Sequence, residues 1–340
     1  MIIHTINRRV HIKTAFILLI ICASLLPFTA QSVESHAFNT LNLNPMVQIF
    51  GLPSLANQVL GAQGLFEVEI EQQTANYYSQ SISNDEVITL DGETWKTRLN
   101  IAYALTDHSE ISISVPYIRH SSGYMDDLIY NWHDTFGMPQ NNRTKSTNNN
   151  IDLYYSVNGK TPVDLNSTVS GIGDIRLTYA HQLNAFNRDL ILQTVIKLPT
   201  GDVATLTGSG GTDLSIGLMI NDAISFERQN INTWAGAAVT YLGKADGDLS
   251  DNQKDLAWSA SAGLGWPINS ALILKTQFDG HSAVYNSNTT ELGDPALMLT
   301  FGGDYYFTPL YRLELSAVED IIAETSPDIV FSVKFSAKFE

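Results

Sequence analysis

The sequence predicts an all-β protein: an antiparallel transmembrane β-barrel of about 12 strands, with a plug-like N-terminal segment and a helix in one external loop. Three observations carry this. The chain opens with a secretory leader. Beyond it no apolar run approaches the ~20 residues that a spanning helix needs, so any membrane insertion uses strands. Segments of alternating polarity then recur to the end of the chain, joined by connections that are short and long by turns.

In the leader, "MIIHTINRRVHIKTAFILLIICASLLPFTAQS", Arg8, Arg9 and Lys13 precede an apolar run over 15–28. This is the pattern of a signal peptide, assigned to residues 1–30, with cleavage after Ala30 or after Ala37 left open. The single cysteine, Cys22, falls inside it, so the mature chain can hold neither a thiolate metal site nor a cysteine nucleophile. Loss of the leader's three cations takes 19 basic residues to 16 against 35 acidic ones, a formal charge of -19. Nucleic acid is excluded as a partner on that balance.

Residues 31–63 precede the first alternating segment. The stretch "FNTLNLNPMVQIFGLPSLANQVLGAQ" mixes Asn44 and Pro45 with Phe50, Leu52 and other apolar residues, without a period. A free periplasmic tail has no use for these side chains. Two readings remain open: a hatch folded into the lumen, or a short periplasmic structure packed beneath the barrel.

The barrel is assigned to 64–340, with strands near 64–76, 94–106, 109–119, 173–184, 188–199, 212–222, 230–242, 255–266, 270–282, 294–307, 310–319 and 328–339. Parity within them is the argument, because successive strand side chains point to opposite faces. In "GLFEVEIEQ", Phe66, Val68 and Ile70 oppose Glu67, Glu69 and Glu71. In "TWKTRLNIAYAL", Leu99, Ile101 and Tyr103 oppose Lys96, Arg98 and Asn100. Trp258 and Trp266 share the outward face of one strand at a spacing suited to two aromatic girdles. The closing "IVFSVKFSAKFE" sets Phe331, Val333, Phe335 and Phe339 against Ser332, Lys334 and Lys338. Short connections such as "TDHSE" and "TP" alternate with 77–93, 120–172, 200–211, 243–254, 283–293 and 320–327, which places both termini on the periplasmic side. Only 230–242 is apolar on both parities, as a soluble β-sandwich would allow.

Loop 120–172 is too long for a passive turn. Met125, Trp132 and Phe136 recur at helical spacing, with Asp126 and His133 among them, and Gly137 and Pro139 end the run. The predicted helix caps the barrel, constricts its mouth or lies on lipopolysaccharide; capping is the reading preferred. The inner face gathers Glu67, Glu69, Glu71, Lys96, Arg98, Arg176, Lys197, Lys275, Asp279 and Lys334. These form either salt bridges that hold register, the preferred reading, or a polar track for a solute.

The acidic loop "KADGDLSDNQKD" fails the EF-hand spacing, and "GSGGT" lacks the lysine and helix of a phosphate cradle. No metal site and no cofactor follow from these motifs. There is no GxSxG, and His120 in "RHSS" points inward by parity, so catalysis is not expected; a membrane-embedded lipid hydrolase stays as the remotest alternative.

Several stretches resemble a domain-of-unknown-function family of proteobacterial envelope proteins: "NLNPMVQIFGLPSL" (42–55), "GYMDDLIYNWHDTFGMP" (123–139), "KLPTGD" (197–202) with "GSGGTDL" (208–214), "ELGDPAL" (291–297) and "SPDIVF" (326–331). The resemblance covers nearly the whole mature chain and implies an outer-membrane location in a Gram-negative cell. "LPTGD" with its downstream glycines also resembles a segment of outer-membrane transporters linked to aromatic-compound degradation. The phenylalanine-rich last strand is similar to the signal read by the barrel assembly machinery, departing from it by the extra Glu340. The expected function is passage of a small apolar or aromatic solute. The alternative is a closed structural or interaction barrel touching lipopolysaccharide or another cell.

Overall fold

The computed structural model describes residues 35–55, 60–127, 130, 131, 135, 149–185, 188–221 and 231–339. Its strands are β1 (Phe66–Ser83), β2 (Glu86–Thr106), β3 (Ser109–Ser121), β4 (Asp152–Val157), β5 (Lys160–Leu165), β6 (Val169–Ile172), β7 (Arg176–Ala185), β8 (Arg188–Lys197), β9 (Asp213–Asn221), β10 (Asn232–Tyr241), β11 (Leu256–Pro267), β12 (Leu272–His281), β13 (Ala296–Thr308), β14 (Tyr311–Asp320) and β15 (Ile329–Phe339). All but β4, β5 and β6 form a closed antiparallel barrel of 12 strands, sealed where β15 meets β1 in the register Phe66↔Phe339 to Asn76↔Ile329.

Closure follows from the two-faced strands. Leu99, Trp258, Trp266, Val333 and Phe335 are exposed on the outside, whereas Glu71, Lys96, Arg98, Lys197 and Lys334 are buried inside. A soluble sandwich would reverse that arrangement. The apolar parity of 230–242 has a local cause: Trp234 points inward, is 2% exposed, and donates its indole N–H to Gln277 Oε1 at 3.0 Å. Gly263 opposite leaves it room, since a Cβ there would stand 2.6 Å from the indole.

Two expected loops are strand instead. β1 and β2 continue past the barrel rim, pairing from Tyr77↔Gly92 to Ser83↔Glu86, where 77–93 reads as a loop in the sequence. β4 then pairs with the extended β2, and β5 with β4, so a hairpin from the 120–172 loop lies on this projection. Its turn, Asn158-Gly159, has φ of 52° and 76°, which suits the twist of a tight hairpin. The ladder runs on because β4 supplies the partners that the barrel no longer provides.

These external elements enclose an apolar core. Leu90, Leu153, Tyr155, Leu249, Tyr285 and Leu292 pack with Met46, Val47, Ile49, Phe50 and Leu52 of the N-terminal segment.

Candidate functional site

Residues 35–55 thread the barrel as an inverted U. The ascending limb runs beside β12 at a constant offset of 239 residues. Lys275 Nζ donates to the His36 carbonyl at 2.9 Å, Gln277 bonds both the N–H and the C=O of Phe38 at 2.9 and 3.0 Å, the His281 ring meets Asn42 Nδ2 at 2.9 Å, and the Tyr285 hydroxyl donates to the Met46 carbonyl at 3.0 Å. A fixed offset means two extended chains side by side, held by inward side chains in place of a backbone ladder. Thr40 and Thr300 join hydroxyls at 2.8 Å on the neighbouring β13.

The apex is an Asn-Pro turn. Asn44 Oδ1 accepts the Met46 N–H at 3.0 Å and its carbonyl accepts those of Val47 and Gln48 at 2.9 Å, while Pro45 has no N–H to leave unpaired. Asn44, Pro45, Phe50 and Leu52 are all buried at or just past this turn. The descending limb is tied to the opposite wall. Gly51 N–H donates to Asp213 Oδ2 at 2.6 Å, Ser215 Oγ donates to the Gly51 carbonyl at 2.9 Å, and Arg176 donates to the carbonyls of Leu52 and Phe50 at 2.8 and 3.0 Å. Leu55 packs on Ala180, Ile191, Met219 and Ala238.

The inner-face charges fall into three groups. On β12 to β1, Lys275 reaches Asp304 at 2.9 Å and Glu314 at 2.6 Å, Lys334 reaches Glu314 at 2.9 Å, and Arg312 reaches Glu69 at 3.3 Å and Glu67 at 3.8 Å. At the rim of β7 to β9, Lys197 is 1% exposed and is held by Asp174 at 2.5 Å, Ser209 Oγ at 2.7 Å, the Gly211 carbonyl at 2.8 Å and Asp213 at 3.5 Å. This cluster accounts for the "KLPTGD" and "GSGGTDL" text: Gly208 packs so tightly that a Cβ would lie 2.3 Å from Asp174 Oδ1. The third group is Lys96 and Arg98 of β2 with Arg176 of β7. Arg98 pairs with Glu71, which also accepts Ser332 Oγ at 2.8 Å, and with the Asn39 side-chain oxygen. Among the described residues Lys96, 3% exposed, has no hydrogen-bond or ion-pair partner. Asp279 stands apart, accepting the Gln277 amide at 2.9 Å.

A cavity of about 140 Å³ lies between the U and the β2, β3 and β7 wall, with Lys96, Arg98, Arg176, Gln48, Gln193 and Pro116 in its lining. A second, of about 30 Å³, shares Lys96, Arg176 and Gln48 with it and extends to Asp279 and His281. Of this lining, parity in the sequence singles out Lys96, Arg98 and Arg176 as inward residues. It could not find Gln48 or Gln193: the first sits in a segment without a period, and the second is one uncharged polar residue among many inward ones.

The remaining predicted positions are plain. Trp258 and Trp266 are exposed on the outer face of β11. Asp126 accepts Asn76 Nδ2 at 3.0 Å and the Asn149 N–H at 2.6 Å, and Asp126, Asp127, Tyr130, Asn131 and Thr135 are helical. Trp132, His133 and Phe136 lie outside the described residues, as does the leader 1–30. In the acidic loop, Asp248 and Asp251 hold Lys160 of the β5 hairpin at 3.0 and 2.8 Å, and the Asp251 and Asp248 hydrogen bonds raise its ammonium to about 12. Buried His120 meets Thr94 Oγ1 at 2.8 Å and the Leu206 carbonyl at 3.2 Å.

A family profile described as "Protein of unknown function (DUF3187)" matches residues 13–339. This chain belongs to the DUF3187 family. No curated protein matches the DUF3187 chain. Solved structures similar to it are outer-membrane barrels. A COG4313 outer-membrane channel from Pseudomonas putida F1 is 14% identical, aligned over 86% of this chain and 98% of that one with a TM-score of 0.53. The P. putida toluene transporter TodX is 12% identical over 88% and 93% of the two chains, with a TM-score of 0.36. At that identity the likeness to the COG4313 channel is one of fold alone. A closed barrel with an apolar outer band places this DUF3187 protein in the bacterial outer membrane.

Proposed function

We propose that this DUF3187 barrel is an outer-membrane channel or transporter for a small solute with an apolar or aromatic body, and that residues 35–55 are its hatch. The observation that carries the reading is how the inverted U is held. Its limbs meet the wall through individual side-chain hydrogen bonds, and a cavity remains beside it. Such bonds are each worth only about 0.5–1.5 kcal/mol net and exchange readily with water, so the segment can shift without breaking the barrel ladder. The shared fold with a channel is consistent with this. Solute entering between the external elements passes the apex at Asn44 and Pro45, crosses the cavity and leaves beside β1.

A second reading has its own support. The apolar core over the apex and the paired inner-face charges favour a closed structural barrel, whose loops contact lipopolysaccharide or another cell. Planar-bilayer conductance separates the two, comparing the full mature chain with one lacking 38–63, both shown to be folded by heat-modifiable migration. Conductance that appears or grows on deletion supports the hatch. Silence from both folded proteins overturns it in favour of the closed barrel.

A further inference from the structure

We infer that the cavity beside the inverted U is a binding site for a small organic carboxylate, with Lys96 as the group that takes the charge. The inference deepens the channel reading and rests on it. Lys96 is an amine buried to 3% exposure on the lumen wall, with no partner among the described residues, and it lines both cavities. Such an amine without a partner sheds its proton unless a counter-charge is bound or water reaches it, so a bound anion is what would hold it as an ammonium.

The nearby acids are already engaged: Glu71 by Arg98 and Ser332, Asp174 and Asp213 by Lys197. Arg176 gives its donors to two backbone carbonyls, which leave its charge uncompensated. Glu67 and Glu69, held by Arg312, and Glu110 line the far end of the same cavity, with Glu67 and Glu110 opposite Ala102 and Ala104 of β2. Lys96 and Arg176 have no carboxylate of their own, and an anion supplies one.

A second observation is independent of charge. Gln48, 6% exposed on the U and lining both cavities, leaves both its amide nitrogen and its amide oxygen without a hydrogen bond, and Gln193 across the cavity leaves its amide oxygen likewise. Buried amides are almost always paired. Unsatisfied ones on facing walls mark where a polar ligand or water belongs.

The rest of the lining fixes the ligand's body. Pro53, Pro116, Ile118 and Val195 give apolar surface next to the cations. On β3, Ile118 and Pro116 stand opposite Lys96 and Arg98, and the short Ser114 stands opposite Arg176, so apolar surface lies between the cations of β2 and that of β7. One carboxylate on a ring or short chain matches this combination. A phosphate matches it less well, because its fully polar surface would strand the apolar wall.

The test is calorimetric titration of the detergent-folded full mature chain with benzoate, benzyl alcohol and inorganic phosphate. Benzoate is expected to bind saturably and at least about tenfold more tightly than the alcohol or phosphate, as a charge-assisted contact implies. Lys96→Met is expected to lose at least about tenfold for benzoate while the alcohol is unchanged; Lys96→Arg keeps the affinity. Gln48→Leu, on a segment outside the barrel strands, is expected to weaken benzoate several-fold and serves if Lys96→Met does not fold. Equal binding of benzoate and benzyl alcohol, unchanged benzoate affinity in the Lys96 and Gln48 variants, or no carboxylate binding to the folded barrel overturns the inference. Conductance stands apart. Benzoate binding with a silent deletion variant keeps the site and sinks the channel; a conducting deletion variant whose parent binds no carboxylate does the reverse.

Discussion

The Tyr285 hydroxyl, in the loop after β12, donates to the Met46 carbonyl at 3.0 Å, across 239 residues of chain. That bond joins the apex of the N-terminal segment to the external core. The Tyr285 ring also meets Phe50 edge-on, with centroids 5.5 Å apart. Tyr285→Phe keeps the ring contact and orphans one buried carbonyl, a cost of about 1–3 kcal/mol. Tyr285→Ala also opens a cavity and costs about 3–5 kcal/mol. Unfolding temperatures from heat-modifiable migration are expected in the order wild type, Phe, Ala. An Ala variant as stable as the parent would mean that the apex does not depend on this contact.

Lipid-facing and lumen-facing positions of β2 should respond differently to charge. Leu99 and Ile101 are exposed on the outer surface, and arginine at either is expected to cost about 2–4 kcal/mol and impair assembly. Ala102 points inward, in register with Glu67 and lining the cavity with Glu110, so arginine there finds carboxylates and the loss is smaller. Equal damage at both parities, read as folded yield in vesicles, would contradict the register.

Lys197 anchors the rim loop through Asp174, Asp213, Ser209 and Gly211. Lys197→Met leaves two buried carboxylates without their cation, at a cost of about 3–5 kcal/mol. Replacing Asp174 and Asp213 by Asn in the same chain should recover part of it. A Lys197→Met barrel that unfolds with the parent would show that the cluster is solvated.

On the external hairpin, burial and then Asp164 raise the Asp152 carboxyl above its ordinary value. A carboxyl raised on folding holds its proton more tightly in the folded hairpin. Its contribution is therefore fully present below the unfolded pKa and is lost as pH rises through the folded one. Hydrogen-exchange protection of 152–165, corrected for intrinsic rates, is expected to increase on acidification from neutral, and Asp152→Asn should flatten that dependence. A variant with the parent's pH profile would place the titrating group elsewhere.

The barrel strands were legible because each separates lipid from a packed lumen, and "TWKTRLNIAYAL" carries that division in its alternation. The β4–β5 hairpin was missed although Asn158-Gly159 between "DLYYSV" and "KTPVDL" is a strong hairpin signal. The helical spacing around Asp126 dominates the same loop and masks the two short strands. The same parity gave Lys96, Arg98 and Arg176 as inward cations. The path of 35–55 was not legible in that way: its constant offset from β12 is a tertiary relation that leaves no period in the sequence.

The most direct measurement tethers the segment in place. Thr40 and Thr300 join hydroxyls at 2.8 Å, and residues 35–340 contain no cysteine, so Thr40→Cys with Thr300→Cys introduces one pair positioned to bridge. Single-channel conductance is then recorded from the same preparation oxidised and reduced. If the segment governs passage, the reduced barrel conducts in bursts and the oxidised one is silent. Identical traces in both states, with the disulfide verified, would contradict the account.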